Sequence, residues 1–159
     1  MAEQLQAGDR APDFELPGLD GPVRLADRRG KITVLYFYPK DDTPGCTTEA
    51  QGFTAAAGEF RKLGAEVIGV SKDSIARHRR FKDKYGLDVT LASAEAGDMV
   101  ERYGAWVEKS LYGRHYMGID RSTWLIDKEG VIRRIWRKVK VPGHVDEVLR
   151  ATRELASEG

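Results

Sequence analysis

The chain has 159 residues, with 26 Lys+Arg against 25 Asp+Glu and a formal charge of +1. A length of that order makes a single domain, taken as 1–159, able to bury roughly 70% of its unfolded surface without a covalent staple. The balanced charge and a 41% hydrophobic composition give no reason to expect a nucleic-acid or membrane partner and mark an ordinary globular protein.

The segment "FELPGLDGPVRL" reads as two short strands around the turn Gly18-Leu19-Asp20-Gly21. "ITVLYFY" (32–38) is a nearly unbroken apolar run rich in β-branched and aromatic residues, the pattern of a central strand covered on both faces. Phe53, Ala57, Phe60 and Leu63 then recur at helical spacing, and Gly64 closes one helix. "AEVIGV" (65–70) is the next buried strand. Asp73 or Ser74 caps a helix with the stripe Ile75, His78, Phe81 and Tyr85, ended by Gly86. "VTLASA" is a short strand, and Met99, Val100 and Tyr103 mark a short helix. Residues 104–120 suggest an ordered loop or irregular strand, with Trp106, Tyr112, Tyr116 and Trp124 expected in the core. "STWLID" and "VIRRIW" flank Lys128-Glu129-Gly130 as an antiparallel hairpin. After Pro142-Gly143, Val145, Val148, Leu149, Thr152 and Leu155 form the stripe of a last helix.

Strand–helix–strand implies a parallel pair with a right-handed crossover. Strand–strand–helix adds an antiparallel hairpin covered by a helix. The expected fold is α/β and thioredoxin-like: a mixed central sheet flanked by helices, with an N-terminal β-hairpin. In such sheets ligands bind beyond the carboxyl ends of the strands. Cys46, the only cysteine, falls there.

A lone cysteine excludes an internal disulfide and favours a reducing compartment. The start "MAEQLQAGDRAPDF" has no apolar stretch of signal-peptide length, and no segment approaches the ~20 apolar residues of a membrane span, so a cytoplasmic protein is expected. A lone buried cysteine is ordinarily a small hydrophobe. Here Thr43 suits an N-cap and Pro44 the first helical position, so Cys46 is the third residue of a helix. Backbone N–H groups there lack internal partners and favour an anion, and a thiolate is the anion at hand. A phosphatase needs Cys-x5-Arg, but Gly52 stands at the arginine position; a dithiol needs Cys-x-x-Cys, but Glu49 stands there. His78 and His144 read as surface or interface histidines, and His115 as a residue of the aromatic loop. No Cys/His ligand spacing and no glycine-rich phosphate loop appear, so no metal and no cofactor is expected. A single thiolate without base or second thiol suits attack on the O–O bond of a peroxide, giving a sulfenic acid. A redox-sensing or chaperone-like module on the same scaffold is the alternative.

"FYPKDDTPGCTTEAQGF" resembles the active-site segment of peroxiredoxins, whose Pro-x-x-x-Thr/Ser-x-x-Cys is met by Pro39, Thr43 and Cys46. The likeness is to the bacterioferritin-comigratory, or Q-type, branch. It extends to "GDRAPDFELPGLDG", to "VIGVSKDS" followed by His78, Phe81 and "KYGL", to "EKSLYGRHYMGIDRSTWLIDKEG" and to "VKVPGHVDEVL", with 87–98 fitting least. The resemblance implies that Cys46 is the peroxidatic cysteine. The Thr43 hydroxyl would bond thiolate and peroxide, Pro39 would shield the site from water, and Arg121 would be the active-site arginine. From the residues alone, Thr43 serves equally as a cap, Pro39 as a strand end, and Arg121 as a solvated loop residue that Asp120 neutralises. Glu49 complements the helix dipole, and in the family also steadies the loop. Many Q-type members carry a resolving cysteine five residues on, where this chain has Gln51. Resolution therefore needs a thiol from outside the chain: thioredoxin, glutaredoxin, a glutathione-like molecule or Cys46 of a second copy. The external thiol is favoured, because two helix-buried Cys46 residues would need large unfolding to meet. Relatives are often monomeric and no exposed apolar stripe is evident, so a monomer is expected.

Overall fold

The computed structural model describes residues 4–158. Strands β1 (Glu15–Leu16) and β2 (Val23–Arg24) form the expected N-terminal hairpin. The five-stranded sheet holds β3 (Ile32–Phe37), β4 (Ala65–Ser71), β5 (Thr90–Ser93), β8 (Ser122–Ile126) and β9 (Ile132–Trp136), in the order β5-β4-β3-β8-β9. β3, the apolar run, lies at its centre with every residue buried. It runs parallel to β4, with Val34 beside Val67, and antiparallel to β8, with Phe37 beside Ser122.

The alternation of β3 divides the core. Leu35 and Phe37 face one side, where Phe14, Leu16 and Trp124 pack with Met99 and Val100 of α4 (Met99–Arg102). Val34 and Tyr36 face the other, against α1 (Pro44–Ala55), α2 (Ala57–Lys62), α3 (Ile75–Tyr85) and α5 (His144–Ser157). Ser74 is the N-cap of α3 and accepts from the Arg77 amide; Gly86 ends that helix at φ 59, a left-handed conformation suited to glycine. No helix among the described residues is long and apolar enough to cross a membrane.

Four expectations need correction. The single helix expected to run to Gly64 is two, α1 and α2, because Ala56 leaves helical geometry (φ −94, ψ 0). Residues 104–120, expected as an ordered loop or irregular strand, hold a regular hairpin, β6 (Trp106–Leu111) with β7 (Arg114–Ile119), closed by a turn with both Tyr112 (φ 52) and Gly113 (φ 78) left-handed. Both residues of a type I′ turn have that sign, which matches the twist of the strands. Among the described residues the hairpin pairs with no other strand, and only Trp124 of the expected aromatic core is fully buried: Tyr112 is 96% exposed and Tyr116 is exposed too. Leu111, Tyr112, Tyr116 and Met117 thus present exposed apolar surface, which removes the ground on which a monomer was expected. Finally, His78 and His144 are buried rather than superficial.

Candidate active site

Cys46 is the third residue of α1, as its sequence position implied. Thr43 is the N-cap in an extended conformation (φ −98, ψ 154), and its carbonyl accepts the first helical bond, from the Thr47 amide at 2.8 Å. The amides of Gly45 and Cys46 come too early in the helix to have internal partners, and Pro44 has none to offer. The local field is positive, and the sulfur sits within it.

The topology carries the second element. Phe37 ends β3, and its antiparallel partner Ser122 begins β8. The residue before Ser122 therefore arrives beside the segment leaving β3, and that residue is Arg121. Its carbonyl is tied to the Val139 amide at 3.0 Å. The guanidinium forks: Nη2 donates to Cys46 Sγ at 3.3 Å and Nη1 to Glu49 Oε1 at 2.7 Å. Asp120, the neighbour expected to neutralise it, turns away and accepts instead from the Lys138 amide at 3.4 Å.

Glu49 lies one turn beyond Cys46 and is fully buried, with Oε2 lacking any partner among the described residues. Burial pushes its carboxyl from 4.5 up to about 7, and attraction to Arg121 offsets this only in part. Burial lowers the Arg121 guanidinium, yet Glu49 and then Cys46 together raise it above its ordinary value. The arginine thus stays charged while its carboxylate partner is close to half-ionised near neutrality. Gly45 makes the approach possible: a Cβ there would lie 3.2 Å from Arg121 Nη2. Lys109 on β6 stands half-buried nearby; burial lowers its pKa, and it feels Asp120, Arg121 and Cys46 in turn.

Thr43 Oγ1 donates to the Lys40 carbonyl at 2.8 Å; it makes no side-chain cap bond, and its one hydrogen is turned from the sulfur in this state. Pro39 is exposed just past the end of β3. His115 is exposed on β7, where its ring faces Glu108 at 3.2 Å. The structure brings two of the expected residues, Cys46 and Arg121, into contact. Nothing in the sequence pattern placed Gly45 or Lys109 beside them, or gave Glu49 its partner 72 residues away. A groove of about 850 Å³ starts at Pro44, Gly45 and Thr48 and runs between α1 and α5 past Val141, Pro142 and Val145.

Residues 7–135 match the AhpC/TSA family. Peroxiredoxin Bcp of Bacillus subtilis is 46% identical over 155 residues, 97% of this chain and 99% of that protein. A putative peroxiredoxin bcp of Coxiella burnetii is 50% identical over 146 residues, 91% of this chain and 97% of that one. This chain is a peroxiredoxin of the Bcp/PrxQ branch. As such it is a thiol-dependent peroxidase. The peroxiredoxin matches a structure of the Xanthomonas campestris bacterioferritin comigratory protein, described for alkyl peroxide reduction, with a TM-score of 0.88 and 40% identity over 95% of this chain and 99% of that one. A Xylella fastidiosa PrxQ variant superposes with a TM-score of 0.90 at 35% identity, covering 96% of this chain and 98% of that one. Serine variants of the Xanthomonas protein have been made at two different cysteines, whereas this peroxiredoxin has one.

Proposed function

We propose that Cys46 is the reacting sulfur and that its oxidised form is resolved by a thiol from outside the chain. The thiolate attacks one oxygen of the peroxide. An S–O bond forms, the O–O bond breaks, and the departing hydroxide or alkoxide takes up a proton. Cys46 is left as a sulfenic acid. An external thiol then condenses with it, releasing water and forming a mixed disulfide, and a second thiol frees Cys46. Arg121 holds the thiolate and stabilises charge on the departing oxygen; a guanidinium never loses its proton and donates in two directions at once. Thr43 and Pro39 shape the approach to the sulfur, with Thr43 turning its hydroxyl toward bound peroxide.

The observation that carries this reading is the 3.3 Å contact between Arg121 Nη2 and a sulfur in the first turn of a helix. The apolar groove beside that turn supports organic hydroperoxides as substrates alongside hydrogen peroxide. The need for an external thiol follows from Cys46 being the one cysteine. It also points to the cytoplasm, where reduced thiols are kept in supply.

The test is a reductant panel run with hydrogen peroxide in excess. Thioredoxin, glutaredoxin and glutathione are supplied separately, and turnover is compared between wild type and Cys46→Ser. Turnover with at least one thiol, abolished in the serine variant, is the expected result. Equal peroxide removal by both proteins overturns it.

A further inference from the structure

The segment between β3 and α1 leads into the helix that carries Cys46, and side-chain bonds tie it to α3. Asp41 is buried in that segment, and Asp42 adopts a left-handed conformation at φ 60. Three side chains of α3 reach it. His78 Nδ1 lies 2.6 Å from Asp41 Oδ2. Lys84 donates to Asp42 Oδ2 at 2.9 Å, and the Tyr85 hydroxyl donates to Asp42 Oδ1 at 2.5 Å. We propose that His78 is a positioning residue for the peroxidatic loop: it braces Asp41 from behind and so fixes the start of the helix that carries Cys46. The proposal rests on the reading of Cys46 as the reacting sulfur.

The bonding of His78 argues for more than packing. The ring is fully buried, and both nitrogens face acceptors, Nδ1 toward Asp41 and Nε2 toward the Ala92 carbonyl on β5 at 2.9 Å. A carbonyl only accepts, so Nε2 carries a hydrogen. The 2.6 Å Nδ1–Oδ2 contact is a short hydrogen bond that ties the ring to the carboxylate. Asp41 is saturated around it. Oδ1 accepts from the Tyr38 hydroxyl at 2.5 Å, and the Asp41 amide donates to Asp73 Oδ2 at 2.8 Å. Asp73 is fixed in turn by the Ser71 hydroxyl at 2.6 Å. The chain of bonds runs from β5 through α3 to the loop two residues before the N-cap of α1. A buried network with every member bonded specifies one geometry, and a misplacement of about 1 Å at a reacting centre is worth ~100-fold in rate.

Two conservative variants separate bracing from packing. An asparagine amide nitrogen stands near the place of Nδ1 and still reaches Asp41; a glutamine amide stands near Nε2 and reaches only Ala92. By volume glutamine is the milder change, so packing and bracing rank the two oppositely. Two rates are measured on folded protein: oxidation of Cys46 by hydrogen peroxide, and alkylation of Cys46 by iodoacetamide. Because Cys46 is only 2% exposed, alkylation reports opening of the loop. The expected result for His78→Gln is peroxide oxidation slowed by roughly 10- to 100-fold with faster alkylation, while His78→Asn stays within about threefold on both. Wild-type rates in His78→Gln, or equal losses in the two variants, overturn the proposal. If neither variant folds, Asp41→Asn takes their place, and an unchanged pair of rates there is equally fatal. A wild type that fails to oxidise at Cys46 sinks the peroxidase reading alone, since alkylation still reads the brace.

Discussion

Replacing Glu49 with glutamine isolates the energetic effect of burying a carboxylate under the sulfur. The buried carboxyl rises from 4.5 to about 7, with burial the chief cause. Below pH 4.5 the group is neutral in both folded and unfolded chains, and its full contribution to stability is present. As pH climbs from 4.5 to about 7 the unfolded chain ionises first, and stability is lost; above about 7 the loss levels off. At about 1.4 kcal/mol for each pH step, that interval corresponds to about 3 kcal/mol. For a domain of this size it lowers the melting temperature by ~10 °C. Glu49→Gln keeps the shape and an acceptor for Arg121 but cannot ionise. Thermal unfolding of the two proteins from pH 4 to 8.5 should therefore give curves that diverge by this amount, the variant holding its stability as wild type falls. Titrations of groups not coupled to Glu49 are common to both and cancel in the difference. Parallel curves would refute the idea that burial dominates Glu49.

Other outcomes follow from the same geometry. Arg121→Ala is expected to slow peroxide reduction by ~100-fold or more with the fold intact, and Arg121→Lys to rescue little, because one ammonium cannot serve both Cys46 and Glu49; stopped-flow oxidation on folded protein checks this. Gly45→Ala pushes a methyl to within 3.2 Å of Arg121 Nη2 and should cost about tenfold in the same rate with little change in melting temperature; a wild-type rate would mean the guanidinium does not need that approach. His144 behaves oppositely to Glu49: burial lowers its pKa from 6.5 to about 4, so its contribution is present above pH 6.5 and lost as pH falls through about 4. His144→Gln, which cannot be protonated, should flatten that acid-side loss in a pH series of urea unfolding.

What the sequence displayed was whatever depends on local pattern. The run at 32–38 announced a central strand because both its faces are apolar. Thr43-Pro44 placed Cys46 in the first turn of a helix because those residue types suit those two positions. The hairpin of β6 and β7 left no such mark. Its strands bury little on either face, so no alternation develops, and its turn puts a tyrosine, not the usual asparagine, in a left-handed position. The histidines were misread for a different reason. Each is buried because a distant residue satisfies it: Asp41 lies 37 positions from His78, and Thr123 lies 21 from His144, bonding its Nε2 at 2.8 Å. Arg121 was found through resemblance, but its partner Glu49 is set by the pairing of β3 with β8, which no local window contains.

The assignment of the chemistry to one sulfur comes down to intact mass after one equivalent of hydrogen peroxide. Wild type should gain one oxygen, located at Cys46 by a sulfenic-acid trap, and Cys46→Ser should gain none. Oxygen found on another residue, or the same gain in the serine variant, would contradict the assignment.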